Sequence, residues 1–576
     1  MKRIGPKHRN QPHNLPRAAF AAWLAASLSF ASVCGADVTN APASLAAGAK
    51  AREQLLERRA ARLAKLPAPP LPPASTPSPN PLDQFIAAKW SAAGLKQSTQ
   101  WPPRCDDVAF LRRIYLDVIG VIPTVAEAQR FLKDAAPDKR ARLADQLLAR
   151  SQDYADHWTP FWQEALGAGN VTMLGGIPTR GNFSAWISRK FFTNTPYDLM
   201  VAELIDPAMP DYVQPTPLES NGRISLAAYI RNETHSDTIQ SAASVGQVFL
   251  GTGMKCASCH NHFENQEWPQ ARFLAFAGLF AAKDLELIRC EKRSGQIIPA
   301  RFPFDLPDRP ATVPQSPGGR FHYLAQSLTD PANPRLAKTI VNRLWKRYLG
   351  LGLFEPVDDF RLDRPASHPE LLNWLADDFM RSGFDLKHTI RLILTSQTYQ
   401  LRYEPALEDH FDITRPAEPR YFRSPSLRRL TAEQFLDSVR VANTQKLEPG
   451  KRLLYDVNST ALTRALGRPP SRNEISTGRA DDVAVMQALE LMNGAEFNHL
   501  VYAGKLADLL APEQDPEVAL NAFYFAVLNR APTPPELALG AGILRAKMAA
   551  GAEPKAAAYG DLIWALLASP EFQYIR

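Results

Sequence analysis

Cysteine is scarce in this sequence, with five residues among 576. So few cysteines exclude a disulfide-framed scaffold, which needs several pairs within a short chain. Long apolar runs are scarce too: the run over residues 18–33 is rich in Ala and Ser and is shorter than the roughly 20 residues that span a bilayer. No stretch alternates apolar and polar residues as half-buried strands do. Neither Gly-x-Ser-x-Gly nor His-Glu-x-x-His occurs, so no hydrolase or transferase motif supports an enzymatic assignment. Whether the protein is an enzyme stays open, and a redox role is one of the options.

The charge balance is mildly basic. There are 66 Lys and Arg residues against 59 Asp and Glu residues, which gives a formal net charge of +7 and a pI near 9.0. Part of the excess lies in the first 17 residues, and no basic patch is interleaved with aromatic residues, so nucleic acid is not expected as a partner. Hydrophobic content of 45% and charged content of 22% are typical of a soluble protein, and the length predicts two or three domains.

The first residues have the layout of a secretory signal. Five Lys and Arg residues precede the apolar run, and small residues follow it at Gly35 and Ala36. This order predicts a signal peptide over residues 1–36 and a periplasmic or secreted protein, with no membrane span after its removal. Export matters for cysteine chemistry, because bacterial haem c is attached outside the cytoplasm and because an oxidising compartment favours disulfides over thiolate zinc sites.

The rest of the chain divides by composition. Residues 37–81 contain a basic helix over 49–66 and a Pro-rich tract, together predicted to be a solvated linker. Apolar residues recur at helical spacing through residues 82–296 and again through 320–576, and a Pro-rich connector without such spacing, 297–319, separates them. We therefore predict a mainly α, multi-helical protein of two packed helical domains with long Pro-rich loops.

Local signals place several helices. The stretches 124–127 and 367–370 both follow the Ser/Thr-x-x-Glu pattern of a capping box, and Asn333-Pro334 predicts a further helix start. Trp158 and Trp162 are predicted to lie in the core and not against a cofactor. The helix after Pro334 is predicted to turn a basic face to solvent: Arg335, Lys338, Arg343, Lys346 and Arg347.

One short stretch carries the sharpest chemical signal. Residues 256–260 read Cys-Ala-Ser-Cys-His, the Cys-x-x-Cys-His pentapeptide of covalent haem c attachment. In this interpretation the thiols of Cys256 and Cys259 bind the haem vinyl groups, and His260 is the proximal iron ligand. At this cysteine content such a pentapeptide arises by chance in roughly one random chain per thousand. The sequence does not identify the second axial ligand of the iron. The candidates are His235, His322, Met173 and Met209, and the alternative is a position without a protein ligand.

Two other structures of the same cysteines stay open. Cys256, Cys259 and His262 have zinc-finger-like spacing, and Cys290 would complete a tetrahedral set. The second alternative is a disulfide, either between Cys256 and Cys259 or involving Cys290, with His260 and His262 as surface residues, because export places the thiols in an oxidising compartment. We favour haem with electron transfer as the function. The alternative is a secreted helical scaffold or interaction protein, in one version polysaccharide-associated, whose cysteine cluster is structural.

Further motifs lie along both halves of the chain. They are Arg113-Ile-Tyr-Leu-Asp-Val-Ile-Gly120, Phe249-Leu-Gly251 before the cysteines, Asn333-Pro-Arg335, Val341-Asn-Arg-Leu-Trp345, residues 367–372, Arg428-Arg-Leu-Thr-Ala-Glu433 and Ser569-Pro-Glu-Phe572. Together with the cysteine motif they resemble the cytochrome-like domain of unknown function 1549, followed by its companion, domain of unknown function 1553. The resemblance covers roughly residues 82–576. It implies a secreted bacterial cytochrome-like protein, with a secreted protein of the domain 1501 family or a periplasmic redox protein as partner, and it implies no settled reaction.

The sequence departs from the family pattern in two places. Asn261 is an amide where the family often has an acid. In the helix that follows residue 150, Trp162 and Glu164 are present, but Gly167-Ala168 stands where the family places an arginine. Any polar site in that helix is therefore expected to be altered.

Overall fold

The structure of the chain, a computed structural model, describes residues 41–73, 78–96, 100–167, 173–174, 177–178, 181–209, 238–289, 292–310, 312–456, 458–469, 479, 485–502, 506–507, 513, 515–550 and 555–576. The predicted signal peptide lies outside these residues. So do Cys34, His235, Cys290 and the side chain of Met173.

The described residues form 22 α-helices and three two-stranded antiparallel sheets, which confirms the predicted mainly α fold. The first half of the chain, residues 41–298, contains α1 Ala41–Leu63, α2 Pro81–Ala92, α3 Asp107–Val118, α4 Val125–Lys133, α5 Lys139–Ala149, α6 Ser151–Ala165, β1 Met173–Leu174, β2 Ile177–Pro178, α7 Gly181–Phe192, α8 Tyr197–Ile205, α9 Thr238–Leu250, α10 Gln270–Ala277, β3 Leu285–Arg289 and β4 Lys292–Ile298. The second half, residues 317–576, contains α11 Pro317–Leu328, α12 Leu336–Leu349, α13 Pro369–Arg381, α14 Leu386–Thr395, β5 Arg428–Arg429, α15 Ala432–Thr444, α16 Ala461–Ala465, α17 Val485–Asn493, α18 Ala495–Tyr502, α19 Pro516–Leu528, α20 Pro534–Ala550, α21 Lys555–Leu567, α22 Pro570–Gln573 and β6 Tyr574–Ile575.

Helix α1 packs against the body of the protein. Its Leu55 is buried with Leu199 and Met209, and Arg59 donates to the two carboxylate oxygens of Asp198 at 3.0 and 3.2 Å. Burial raises the pKa of Asp198 to about 6, and Arg59 opposes this rise. The predicted helix is present, but the prediction of a solvated linker is wrong for it, because its basic side chains have a buried carboxylate partner far away in the sequence.

Two helices of the first half begin at a side-chain cap. Asp106 accepts the N–H of Ala109 at 2.8 Å and begins α3, and Thr124 forms the predicted capping box at the start of α4. Helix α6 carries Trp158 and Trp162 into the core, where they are 2% and 0% exposed. The prediction that both indoles are core residues is therefore confirmed.

Two predicted starts in the second half differ in detail. Helix α12 begins two residues after Pro334, because the Asn333 carboxamide oxygen accepts the N–H of Arg335 at 3.0 Å and holds a turn there. Helix α13 begins near the predicted position. However, Ser367 donates to the carbonyl of Leu353 at 3.0 Å and does not cap the helix, so the second predicted capping box is wrong.

A hairpin that the sequence does not predict follows α10. Its strands β3 and β4 pair with Leu285 opposite Ile298, and the register shifts between Glu286 and Ile288. Within β3 and β4 only Leu287 and Ile298 are buried. Because the hairpin has no apolar face of its own, it leaves no alternating pattern in the sequence.

Both halves share one hydrophobic core. A continuous set of buried apolar side chains runs from Leu82 to Ile575. Strand β6 pairs with β5, and the buried Arg113 of α3 donates through Nε to the carbonyl of Arg576 at 2.6 Å. The end of the chain therefore closes onto an early helix. None of the helices among the described residues is both long and apolar enough to cross a membrane.

Candidate functional site

The Cys-x-x-Cys-His turn lies between α9 and α10. Helix α9 ends at Leu250, and Gly251 reverses the chain with a φ of +62°. A Cβ at this position would lie 2.6 Å from a ring carbon of Phe360 and 2.7 Å from Thr339 Oγ1. Only glycine therefore fits. The chain then forms a 3₁₀ turn, Lys255–Ser258, which carries the first cysteine at the surface.

The predicted haem ligands of the turn are accessible. Cys256 and Cys259 are both exposed, and neither is in a disulfide with another cysteine of the described residues. The Nδ1 of His260 lies 2.7 Å from the carbonyl oxygen of Asn261. Because a carbonyl only accepts, Nδ1 carries a proton, and in the neutral imidazole the lone pair is on Nε2. The ring of Phe263, 82% exposed, lies 4.1 Å from that of His260. An imidazole whose Nδ1–H is held by a carbonyl is the usual form of a metal-bound histidine.

His262 closes the loop after the cysteines. Its Nδ1 accepts hydrogen bonds from the backbone N–H of Asn265 at 3.0 Å and from that of Glu264 at 3.3 Å. The backbone N–H of His262 donates to the carbonyl of Trp268 at 3.1 Å. Cys290, the fourth member of the zinc set, lies outside the described residues. Within the described ranges, no group of three His, Cys, Asp or Glu side chains could hold a metal ion.

Gln270, the first residue of α10, holds the turn together. Its buried carboxamide donates to the carbonyls of Ser258 at 3.0 Å and Ile288 at 2.7 Å. Its backbone N–H donates to Asn261 Oδ1 at 2.9 Å. This N–H is one of the unpaired donors of a helix start, and a carboxylate or a carboxamide oxygen satisfies it equally. The amide at Asn261 therefore preserves the acceptor that an acid would supply.

Two arginines of the second half hold the loop that follows the motif. Arg335 donates to Glu267 Oε2 at 2.6 Å, and Arg361 donates to a side-chain oxygen and to the carbonyl of Glu264, both at 2.6 Å. Hydrogen bonds to Asp363 and, more weakly, to Glu264 raise the pKa of Arg361 above its usual value although burial opposes them. The motif lies at the surface, yet both halves of the protein fix its position.

Two candidates for the second axial position are engaged in other contacts. The Nδ1 of His322 lies 2.6 Å from a carboxylate oxygen of Asp206, and its Nε2 lies 2.5 Å from the Gln326 carboxamide nitrogen. Met209 is buried against α1. The described residues therefore do not identify the second axial ligand.

The basic residues of α12 do not form a solvated face. Arg343 is 5% exposed, pairs with Asp358, and donates to the carbonyls of Val248 at 2.5 Å and Gln247 at 2.9 Å. Arg335, which directly precedes α12, is 9% exposed. The prediction of a solvated face is wrong because Arg343 satisfies carbonyls at the end of α9, which lack partners within their own helix.

A polar group on α6 joins the halves through an arginine far away in the sequence. Arg479 donates through Nε to Glu164 of α6 at 2.9 Å and through Nη1 to Glu433 of α15 at 2.7 Å. Burial lowers the pKa of Arg479, but the two carboxylates outweigh burial and raise it above its usual value. Helix α6 therefore has a polar site, and its arginine comes from outside the helix. No spacing in the sequence relates these three positions.

Asp117 of α3 forms a further link between the halves. Its carboxylate accepts from Nη1 and Nη2 of Arg428 at 2.6 and 2.9 Å and from the hydroxyl of Tyr399 at 2.8 Å. Arg428 also donates to the carbonyl of Arg347 at 2.6 Å. Burial alone would lower the pKa of Arg428, but Asp117 raises it, so the guanidinium is charged.

These observations define a mainly helical protein whose halves are joined by buried ion pairs and whose surface turn presents two thiols and an imidazole. Residues 81–284 match the family model PSCyt2, a protein of unknown function (DUF1549), and residues 320–456 match PSD1, a protein of unknown function (DUF1553). The chain belongs to the family that carries these two domains together, as its motifs predict. No curated protein and no solved structure matches it.

Proposed function

We propose that the chain is an exported c-type-cytochrome-like protein that binds one haem at Cys256 and Cys259, with His260 as the proximal iron ligand, and that it transfers electrons. The proposal rests on two exposed thiols, in no disulfide within the described part of the chain, next to an imidazole whose Nδ1–H is held by a carbonyl. Thioether formation needs reduced thiols, and axial ligation needs the lone pair on Nε2. Cys256, Cys259 and His260 therefore have the chemistry that haem attachment needs.

The residues around the turn have distinct roles in this proposal. When bound, the haem supplies a one-electron iron couple. The Nδ1–H of His260, held by the Asn261 carbonyl, fixes the ring and increases the basicity of Nε2. Gln270 ties the turn to β3, and Phe263 provides apolar surface beside the imidazole. Because both cysteines are exposed, a redox partner can approach the site directly.

Export supports the same proposal. The signal peptide predicted over residues 1–36 would deliver the chain to the compartment in which haem c is attached. We propose a periplasmic or secreted location, with a periplasmic redox protein or a secreted protein of the domain 1501 family as partner.

A pyridine haemochrome spectrum of the full chain, exported in a bacterial host that matures c-type cytochromes, tests the proposal. We expect one covalent haem per chain in the wild type. The Cys105→Ala variant, which removes a buried thiol outside the motif, should keep it. Cys256→Ala and Cys259→Ala should each lose a thioether bond, and the double variant should lose all covalent haem.

An exported wild type without covalent haem would overturn the proposal. Intact mass then separates the alternatives. A loss of two hydrogens indicates a disulfide, whereas a chelator-sensitive metal indicates the zinc set of Cys256, Cys259, His262 and Cys290. Either result would favour a helical interaction protein whose cysteine cluster is structural.

A further inference from the structure

A cavity of about 230 Å³ lies between the two halves of the protein. Its walls come from α6 of the first half and from α12, β5 and α15 of the second. No residue of the Cys-x-x-Cys-His turn lines it. Pockets for drug-sized ligands measure about 300–1,000 Å³, so this cavity suits a smaller molecule.

The walls carry an excess of positive charge. Seven Arg or Lys side chains and five Asp or Glu side chains line the cavity. Many of these charges are paired: Asp437 with Arg452 at 3.0 Å, for example, in addition to the pairs of Asp117 and Arg479. Arg347 and Asp156 differ from them, because neither forms an ion pair with another residue in the described part of the chain.

Arg347 forms no ion pair with another described residue; the carboxylate of Asp117 attracts it from farther away but is bound to Arg428. The Cζ of Arg347 lies 4.4 Å from the centre of the Trp158 ring and 5.6 Å from that of Phe161, so the cation rests on two aromatic faces. Its Nη2 donates to His157 Nε2 at 2.8 Å. Its Nε is buried without a hydrogen-bond partner among the described residues. Aromatic rings and an imidazole attract a cation more weakly than a carboxylate does.

His157 is held neutral beside this guanidinium. It approaches the backbone closely because Gly120, with a φ of +73°, has no Cβ to clash with its Nδ1. The guanidinium only donates, so His157 Nε2 is the acceptor and Nδ1 carries the proton of the neutral ring. Burial, and then the charges of Arg347 and Arg452, lowers the pKa of His157 well below its usual value. The imidazole therefore orients Arg347 and does not neutralise it.

Asp156 lines the same cavity from α6. Its Oδ1 accepts from the hydroxyl of Tyr455 at 2.7 Å and from Gln152 at 2.8 Å. Its Oδ2 makes no hydrogen bond with a residue of the described ranges. Burial raises the pKa of Asp156, and the two hydrogen bonds at Oδ1 oppose this rise. One carboxylate oxygen is therefore left to interact with a molecule in the cavity.

We propose that the cavity binds a small molecule bearing an oxyanion group (carboxylate, sulfate or phosphate), with Arg347 as its direct ligand and Asp156 as hydrogen-bond partner of the neutral remainder. The planar guanidinium can donate to two oxygens of such a group at once. The oxyanion supplies the ion-pair partner that Arg347 lacks among the described residues, whereas Asp117 and Asp437 already bind other arginines. The site is independent of the haem proposal.

Isothermal titration calorimetry of the full chain tests the proposal. Sodium sulfate, sodium phosphate and sodium acetate are titrated separately, with sodium chloride at equal ionic strength as reference. We expect saturable binding of at least one anion, and the order of affinities identifies the group that the cavity prefers. Arg347→Lys keeps the positive charge but loses the planar guanidinium that can donate to two oxygens at once, so it should weaken binding roughly tenfold. Arg347→Met, which keeps an apolar stem over Trp158, should abolish binding.

The matched control is Arg301→Met, which removes a side chain that is 71% exposed and should bind like the wild type. Thermal unfolding in chloride alone adds a second measurement. Arg347→Met removes the hydrogen bond to His157 and the contacts with two aromatic rings, so it should unfold at a lower temperature than Arg301→Met, and every titration is made at a temperature at which each variant is folded. An absence of saturable binding by the wild type would contradict the proposal. So would unchanged binding by Arg347→Met and Arg347→Lys.

Discussion

Replacing Asp117 with asparagine should destabilise the protein strongly. The carboxylate is 2% exposed and accepts three hydrogen bonds, two from Arg428 and one from Tyr399. Asparagine keeps the volume, but its carboxamide nitrogen is only a donor. One guanidinium N–H then faces a donor, and the charge of Arg428 loses its counter-ion in a site from which water is largely excluded.

The size of the loss follows from this geometry. A hydrogen bond to a charged group contributes about 1.5–3 kcal/mol, and removing one partner of a buried ion pair costs about 3–5 kcal/mol. The side chain of Arg428 is 16% exposed, so water screens part of its charge. We therefore expect Asp117→Asn to lower the free energy of unfolding by about 3 kcal/mol.

Urea unfolding followed by far-UV circular dichroism measures this loss. The matched control is Asp305→Asn, because Asp305 is 91% exposed and pairs with the exposed Arg301; its loss should stay below about 1 kcal/mol. A double variant, Asp117→Asn with Arg428→Met, should recover part of the stability, because it leaves no uncompensated charge. Equal losses from Asp117→Asn and Asp305→Asn would refute the reasoning.

Three further predictions concern other sites. Burial lowers the pKa of His368 to about 3. Below about pH 6.5 the unfolded chain therefore binds a proton at this histidine that the folded chain does not bind. When the pH falls from about 7 to 5, the wild type should lose about 2 kcal/mol of stability relative to His368→Gln. Gly251→Ala should cost about 2–4 kcal/mol, because it strains a φ of +62° and overlaps an aromatic ring. Arg59→Gln leaves the buried Asp198 without its cation, so it should cost about 2–3 kcal/mol near pH 8 and less near pH 5, where Asp198 takes up a proton. Urea unfolding at each pH measures all three.

Each of these predictions has a clear contradiction. A pH-independent difference between the wild type and His368→Gln would show that the folded protein admits the proton. Gly253→Ala is the control for Gly251→Ala, since nothing lies within 4 Å of a Cβ added at residue 253. An equal loss of stability in both variants would contradict the argument that a Cβ at residue 251 overlaps its neighbours. For the third, an equal loss at both pH values would mean that Asp198 does not titrate in the variant.

The helices could be predicted wherever apolar residues recur at helical spacing and a capping residue precedes them. Thr124 is such a case, because its hydroxyl and the carboxylate three residues later satisfy the first turn locally. The hairpin of β3 and β4 could not be predicted, since it lies on a helical body and has no apolar face of its own. Likewise, helical spacing identifies α1 but does not show that Arg59 reaches a buried carboxylate.

The two candidate sites differ in the same way. The haem ligands could be predicted because Cys256, Cys259 and His260 lie within five consecutive residues. The cavity could not, because Asp156 and Arg347 are far apart in the sequence and each resembles an ordinary surface charge on an amphipathic helix. Only tertiary packing brings them to one cavity, where neither forms an ion pair with another described residue.

The mass of the intact, exported chain under denaturing conditions tests the central proposal most directly, because thioether bonds survive denaturation. The mass of the polypeptide without its signal, plus one haem, is expected. The variant that lacks both Cys256 and Cys259 should show the polypeptide mass alone. The polypeptide mass alone in the wild type, or that mass less two hydrogens, would contradict covalent haem at this turn.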